Sequence, residues 1–125
     1  MSNNQRKEPF RYTLKEPLAL EIYILSVNGV PAPAKPIPAE LFDISRSGCQ
    51  IALPLSLHAE SNDVRIRMSL TLVEDPIALE GTLRWDKKQE SQWFYGVNLE
   101  TKGDDQERLF KEMRMLAGQG RIIVK

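Results

Sequence analysis

A chain of 125 residues is long enough for one domain with its own core and too short for two. Hydrophobic residues at 42% and charged residues at 27% are ordinary for a globular protein, and 17 basic residues cancel 17 acidic ones, so no global field draws DNA or an anionic membrane. Cys49 stands alone, which excludes an intrachain disulfide or a thiolate metal cage, while a polar opening and the lack of a long apolar run argue against membrane insertion and for a cytoplasmic protein.

Residues 1–12 come first in chain order. They are polar, interrupted by Pro9, and carry Arg6, Lys7 and Arg11 against Glu8. This composition predicts a mobile basic arm leading into a domain at 13–125. Leu18, Leu20, Ile22 and Ile24 then alternate with Ala19, Glu21 and Tyr23, the period of a half-buried strand. Asn28-Gly29 signals a turn, and Pro31, Pro33, Pro36 and Pro38 hold the next stretch extended. Pairing is expected to resume at 39–44 and again at 49–53. Val64, Ile66, Met68, Leu70 and Leu72 alternate with Arg65 and Arg67, and two further strands are read at 77–85 and 93–99, joined by the polar run 86–92. Six short strands separated by turn residues predict an antiparallel β-barrel, whose closure removes exposed edges. After Gly103 the period changes. Leu109, Phe110, Met113, Leu116 and Ala117 form a helical stripe, with Asp104 and Asp105 at the favourable dipole end, predicting a C-terminal α-helix over about 104–117. Residues 119–125 receive no assignment.

Two local patterns carry chemistry. The first is Arg6-Lys7-Glu8-Pro9-Phe10-Arg11. An arginine fork can grip a phosphate or meet guanine O6 and N7, and its flat face can stack on a purine. A solvated charged terminus would have the same composition. The second is Asp43-Ile44-Ser45-Arg46-Ser47-Gly48. Ionised Asp43 can accept both N–H donors of a guanine edge, Ser45 and Ser47 add hydroxyls, and Gly48 permits a positive-φ turn or close approach of a ligand. A plain Ser or Asx turn between strands would also use these residues.

Together and in this order the two patterns resemble the PilZ domain family, which pairs an RxxxR arm with a DxSxxG motif on a β-barrel. DxSxxG is matched at every fixed position by Asp43, Ser45 and Gly48, whereas Lys7 replaces the first arginine of RxxxR. Gly81-Thr82-Leu83-Arg84-Trp85 and Tyr95-Gly96-Val97 also resemble that family's late strands. The resemblance implies a cyclic di-GMP sensor of bacterial motility, adhesion or biofilm. In it Arg6, Lys7 and Arg11 would grip phosphates and guanine faces, Asp43 and Ser45 would read guanine edges, and Gly48 would leave room. Lys7 keeps the charge but not the planar fork. In that family a basic residue just before RxxxR is linked to a stacked ligand dimer, so the resemblance implies that stoichiometry as an expectation for Arg6.

No acid–base or nucleophile constellation is visible, so no enzyme and no cofactor or metal is expected. His58 is read as a loop residue, Cys49 as a small buried residue, and Trp85, Trp93, Phe94 and Tyr95 as barrel core and rim, with room for one of them at a ligand site. The expected partners are cyclic di-GMP and a downstream protein, with the chain monomeric or homodimeric. A PilZ-like adaptor that has lost the nucleotide is the main alternative. A barrel that binds single-stranded nucleic acid is a weaker one, given the balanced charge.

Overall fold

Strand β1 (Tyr12–Val27) carries the architecture, because both of its edges are used in a computed structural model that describes residues 11–33, 35–101 and 103–124. It turns at Asn28-Gly29 into a two-residue strand, β2 (Val30–Pro31). Both turn residues have positive φ, 52° and 83°, the conformation that tight hairpins need and that Asn-Gly supplies at little steric cost. There follow β3 (Pro36–Ile44), β4 (Gly48–Leu53), β5 (Val64–Thr71), β6 (Pro76–Gln89) and β7 (Gln92–Glu100), then α1 (Gly103–Gly118) and β8 (Ile122–Val124). The long strands pair antiparallel in the order β1-β3-β4-β7-β6-β5, and β5 pairs back to β1. The result is a closed six-stranded barrel with one C-terminal helix, as the alternation predicted.

The closed wall buries one face of each of its six long strands. Ile22, Leu41, Ile51, Leu53, Ile66, Met68 and Leu79 are at most 1% exposed. Tyr95 is also fully buried; its hydroxyl donates to Leu55 O at 2.7 Å and accepts from Leu57 N at 2.8 Å, which satisfies the polar end of an apolar ring. Helix α1 covers the barrel end where β1 begins, placing Leu109, Met113 and Leu116 in the core.

Three boundaries differ from the sequence reading. Strand β1 starts at Tyr12, inside the expected arm, because Tyr12–Leu14 is held between β3 on one side and β8 on the other. The pairing of β1 with β3 is interrupted between Thr13 and Leu18, where Pro17 has no N–H to give a ladder. The polar run 86–92 is not a loop: β6 and β7 continue as a paired ribbon to a turn at Glu90-Ser91, with Lys88 Nζ 5.7 Å from the Trp93 ring centroid. Polar residues serve there because the ribbon projects beyond the barrel and has no core to cover.

Candidate functional site

The strand β3 ends in the segment that the sequence singled out. Asp43 lies opposite Thr13 of β1 and Gln50 of β4, so its carboxylate is carried on the rim of the barrel end nearest α1. Beyond it the chain closes a tight turn: Ser45 N donates to Gly48 O at 2.8 Å and Ser45 Oγ donates to the same carbonyl at 3.2 Å. Leu99 N donates to Ser47 O at 2.8 Å, fastening this turn to the end of β7. Ser45 is fully buried, and the bond from its hydroxyl to Gly48 O shapes the turn. Gly48 does not occupy the left-handed region that one reading of the sequence allowed. Its need is steric, since a Cβ there would come within 3.1 Å of Val97 O.

Arg11 enters β1 directly beside this turn. Its Nη1 donates to Asp43 Oδ1 at 2.6 Å, joining members of both sequence patterns across 32 residues. Arg6 and Lys7 lie outside the described residues. Next to the Arg11–Asp43 pair is an open cleft of about 160 Å3 on the outer wall, lined among others by Arg11, Gly48, Gln50, Arg84, Trp85 and Asn98. Gln50, Gly96 and Trp85 form one lateral row across β4, β7 and β6, and Gly48 and Asn98 form the adjacent one. The cleft therefore offers two guanidinium groups, two side-chain amides and an indole, with no carboxylate among its lining residues. Such a surface suits a flat, hydrogen-bonding ring attached to an anion.

The indole is there because of two local irregularities. Along β6, Ile77, Leu79, Gly81 and Leu83 are the buried positions, and strict alternation would send Trp85 inward too. A bulge between Leu83 and Trp85 interrupts the register, leaving Arg84 and Trp85 both exposed on the outer face. Trp85 is 41% exposed, and its ring lies on the backbone of Gly96, where any Cβ would collide with Nε1 and Cε2. Sequence reasoning did not single out Arg84, Gln50 or Asn98. For Gln50 the signal was available: it stands two residues after Gly48 on a strand, hence on the same face. For Arg84 it was available too, since alternation after Leu83 puts it outward; for Trp85 it was not, because a bulge leaves no mark in the hydrophobic period.

Other titratable groups near the site have structural roles. Cys49 faces the core, 2% exposed, with its sulfur 3.8 Å from Met68 Sδ. Burial pushes its thiol pKa far up and Asp43 adds to the rise, which Arg11 only partly offsets, so it is no nucleophile at neutral pH. His58 is exposed in the loop before β5. One carboxylate trio, Glu74, Asp75 and Glu112, is close enough to invite a cation. Both Glu112 oxygens, however, accept backbone N–H bonds from Val73, Glu74 and Asp75 at 2.9, 2.9 and 3.4 Å, and those donors present the wrong polarity to a metal.

The sequence profile of the PilZ domain matches residues 4–114. The chain belongs to the PilZ domain family. That family is one of cyclic di-GMP receptors. Among solved structures, the chain is similar to the Bacillus subtilis inhibitor of motility MotI/DgrA, with 17% identity and a TM-score of 0.60. The match covers 94% of this chain and 54% of that one, so this PilZ chain spans about half the length of MotI/DgrA and shares its fold. No curated protein matches the chain. Among the described residues, no helix is long and apolar enough to cross a membrane.

Proposed function

We propose that this PilZ protein binds cyclic di-GMP on the outer wall of its barrel and passes the signal to a downstream protein. The observation that carries the reading is the Arg11–Asp43 pair, 2.6 Å apart at the edge of a cleft lined by arginine, amide and indole but by no carboxylate. Arg11 offers the ligand a charged planar fork and Asp43 a twin acceptor for a guanine edge. In the free protein each partially neutralises the other, so the ligand exchanges one charge-assisted contact for two. A cleft of about 160 Å3 is smaller than the roughly 300–1,000 Å3 that encloses a drug-sized molecule, so the wall would hold only part of a dinucleotide. The preceding segment, with Arg6 and Lys7, would supply the rest by wrapping the ligand, and its ordering would be the switch that a partner reads. Gly48 serves by keeping β4 and β7 close, and Ser45 by closing the turn that presents Asp43.

Isothermal titration with cyclic di-GMP tests this. The wild type is expected to bind at micromolar or tighter affinity, and Arg11→Ala and Asp43→Ala each to weaken it by tenfold or more, since each removes a hydrogen bond to a charged group worth about 1.5–3 kcal/mol. A stoichiometry near two would support a stacked dimer, with Arg6 as the added cation. A folded wild type that binds no cyclic di-GMP would overturn the reading in favour of an adaptor that works through protein contacts alone.

A further inference from the structure

Arg84 stands out among the arginines of the barrel wall. Arg65 reaches Glu100 at 2.8 Å, Arg67 reaches Glu80 at 3.8 Å, and Arg11 reaches Asp43 at 2.6 Å. No hydrogen bond or ion pair to another described residue engages the Arg84 guanidinium, although it lines the cleft. Its outward position is the one strand alternation gives directly after the buried Leu83. The bulge between Leu83 and Trp85 keeps Trp85 on that same outer face beside it, and bulges of this kind re-aim side chains beside functional sites.

We propose that Arg84 is a phosphate-binding residue of the cleft, carried on the outer face of β6 and lining the cleft together with Arg11 and with the indole of Trp85 that the bulge sets beside it. The assignment rests on the cyclic di-GMP reading and deepens it. A purine stacked on Trp85 brings the attached phosphate close to its chain neighbour, and a guanidinium with no carboxylate partner can meet that phosphate without first breaking an ion pair. The lining residues contain no acid, and with Arg11 already paired to Asp43 at the cleft edge, Arg84 is the lining cation that no carboxylate engages. This second cation on the rigid wall also bears on Lys7, which lacks the fork found at that position of RxxxR. A strand-borne arginine has less ordering cost than one on an arm, so part of the phosphate grip moves from the arm to the barrel.

The test is titration of cyclic di-GMP into the wild type, Arg84→Ala, Arg84→Lys, and Arg67→Ala as a wall control away from the cleft. Arg84 is exposed, so circular dichroism and thermal midpoint are expected to match the wild type in every variant. Arg84→Ala is expected to bind about tenfold to a hundredfold more weakly, the loss of one charge-assisted contact. Arg84→Lys should recover much of that loss, since a phosphate accepts a point charge, and Arg67→Ala should match the wild type. Arg84→Ala binding within twofold of the wild type, while Arg11→Ala fails, would overturn the assignment and leave the cyclic di-GMP reading standing. Arg84→Lys falling as far as Arg84→Ala would overturn the phosphate role, because a base edge, unlike a phosphate, needs the fork. No binding by the wild type would overturn both readings together.

Discussion

At the scale of single residues, the site depends on the close approach of a ring to backbone. Gly96 is flush with the Trp85 ring, so the indole lies against bare backbone and presents its other face outward. Gly96→Ala would put a methyl group into that ring. Since Trp85 is 41% exposed, it can swing away, and the expected cost in stability is only about 1 kcal/mol. The expected cost in function is larger. If Trp85 is the stacking face for a purine, displacing it weakens cyclic di-GMP binding by about tenfold, the lower end of one lost base stack. Tryptophan emission reports the displacement, with Trp93 held constant by a parallel measurement in Trp85→Phe. Unchanged affinity alongside altered emission would remove Trp85 from the site. This residue also marks a limit of sequence reading. Asp43, Ser45, Gly48 and Arg11 are visible as spacing, and Trp85 is visible as an aromatic in a strand. Which face it occupies is decided by a bulge, and Gly96 gains its meaning only from the partner strand.

At the scale of elements, α1 is held down by more than its apolar stripe. The stripe read from the sequence is the one that buries Leu109, Met113 and Leu116. Between them sits Glu112, 1% exposed, which no hydrophobic pattern could have placed in the interface. It caps the β5–β6 turn through three backbone donors, and Arg108 adds a bond to Pro76 O at 2.6 Å. Burial alone would raise the Glu112 pKa, but the N–H groups of Glu74, Val73 and Asp75, aided by Lys111, outweigh it and hold the carboxyl below its usual 4.5. Its folded value is thus depressed. The stabilisation it gives is complete above the unfolded value and is lost as pH falls through the folded one. Glu112→Gln keeps the shape and loses the charge, and urea unfolding at about pH 7 should show it less stable by about 1–2 kcal/mol. The gap should narrow below about pH 4.5 and go on shrinking as pH falls through the depressed folded value, where the wild-type carboxyl also protonates. A gap independent of pH would mean that the charge of Glu112 contributes nothing to the clasp.

At the scale of the whole molecule, the candidate site and the C-terminus share a strand. Tyr12–Leu14, immediately after Arg11, pairs with β8, and Lys15 N donates to Arg121 O at 3.0 Å. From the other side, Arg46 of the DxSxxG turn holds its guanidinium carbon 5.6 Å from the centre of the Phe110 ring on α1. The root of the arm, the motif turn, α1 and β8 therefore meet at one end of the barrel. None of this could be read from residues 119–125, because a three-residue strand is too short to display a period. The physical consequence is a coupling between ligand and C-terminus. A chain ending at Gly120 loses the β8 ladder, the burial of Ile122 and the bond from Arg121 Nη1 to Leu72 O at 3.3 Å, and is expected to be about 2–4 kcal/mol less stable. At a temperature where it stays folded, it should bind cyclic di-GMP about threefold to tenfold more weakly, since the Arg11 root is then correctly held only part of the time. Linkage requires the reverse effect in the full chain: cyclic di-GMP must stabilise β8 by the same factor. Hydrogen exchange at residues 122–124 should therefore slow by threefold to tenfold at saturating ligand. Weaker binding by the shortened chain without that protection would trace the loss to general destabilisation, whereas both effects at one magnitude would establish β8 as the element through which ligand binding reaches the C-terminal end of the molecule.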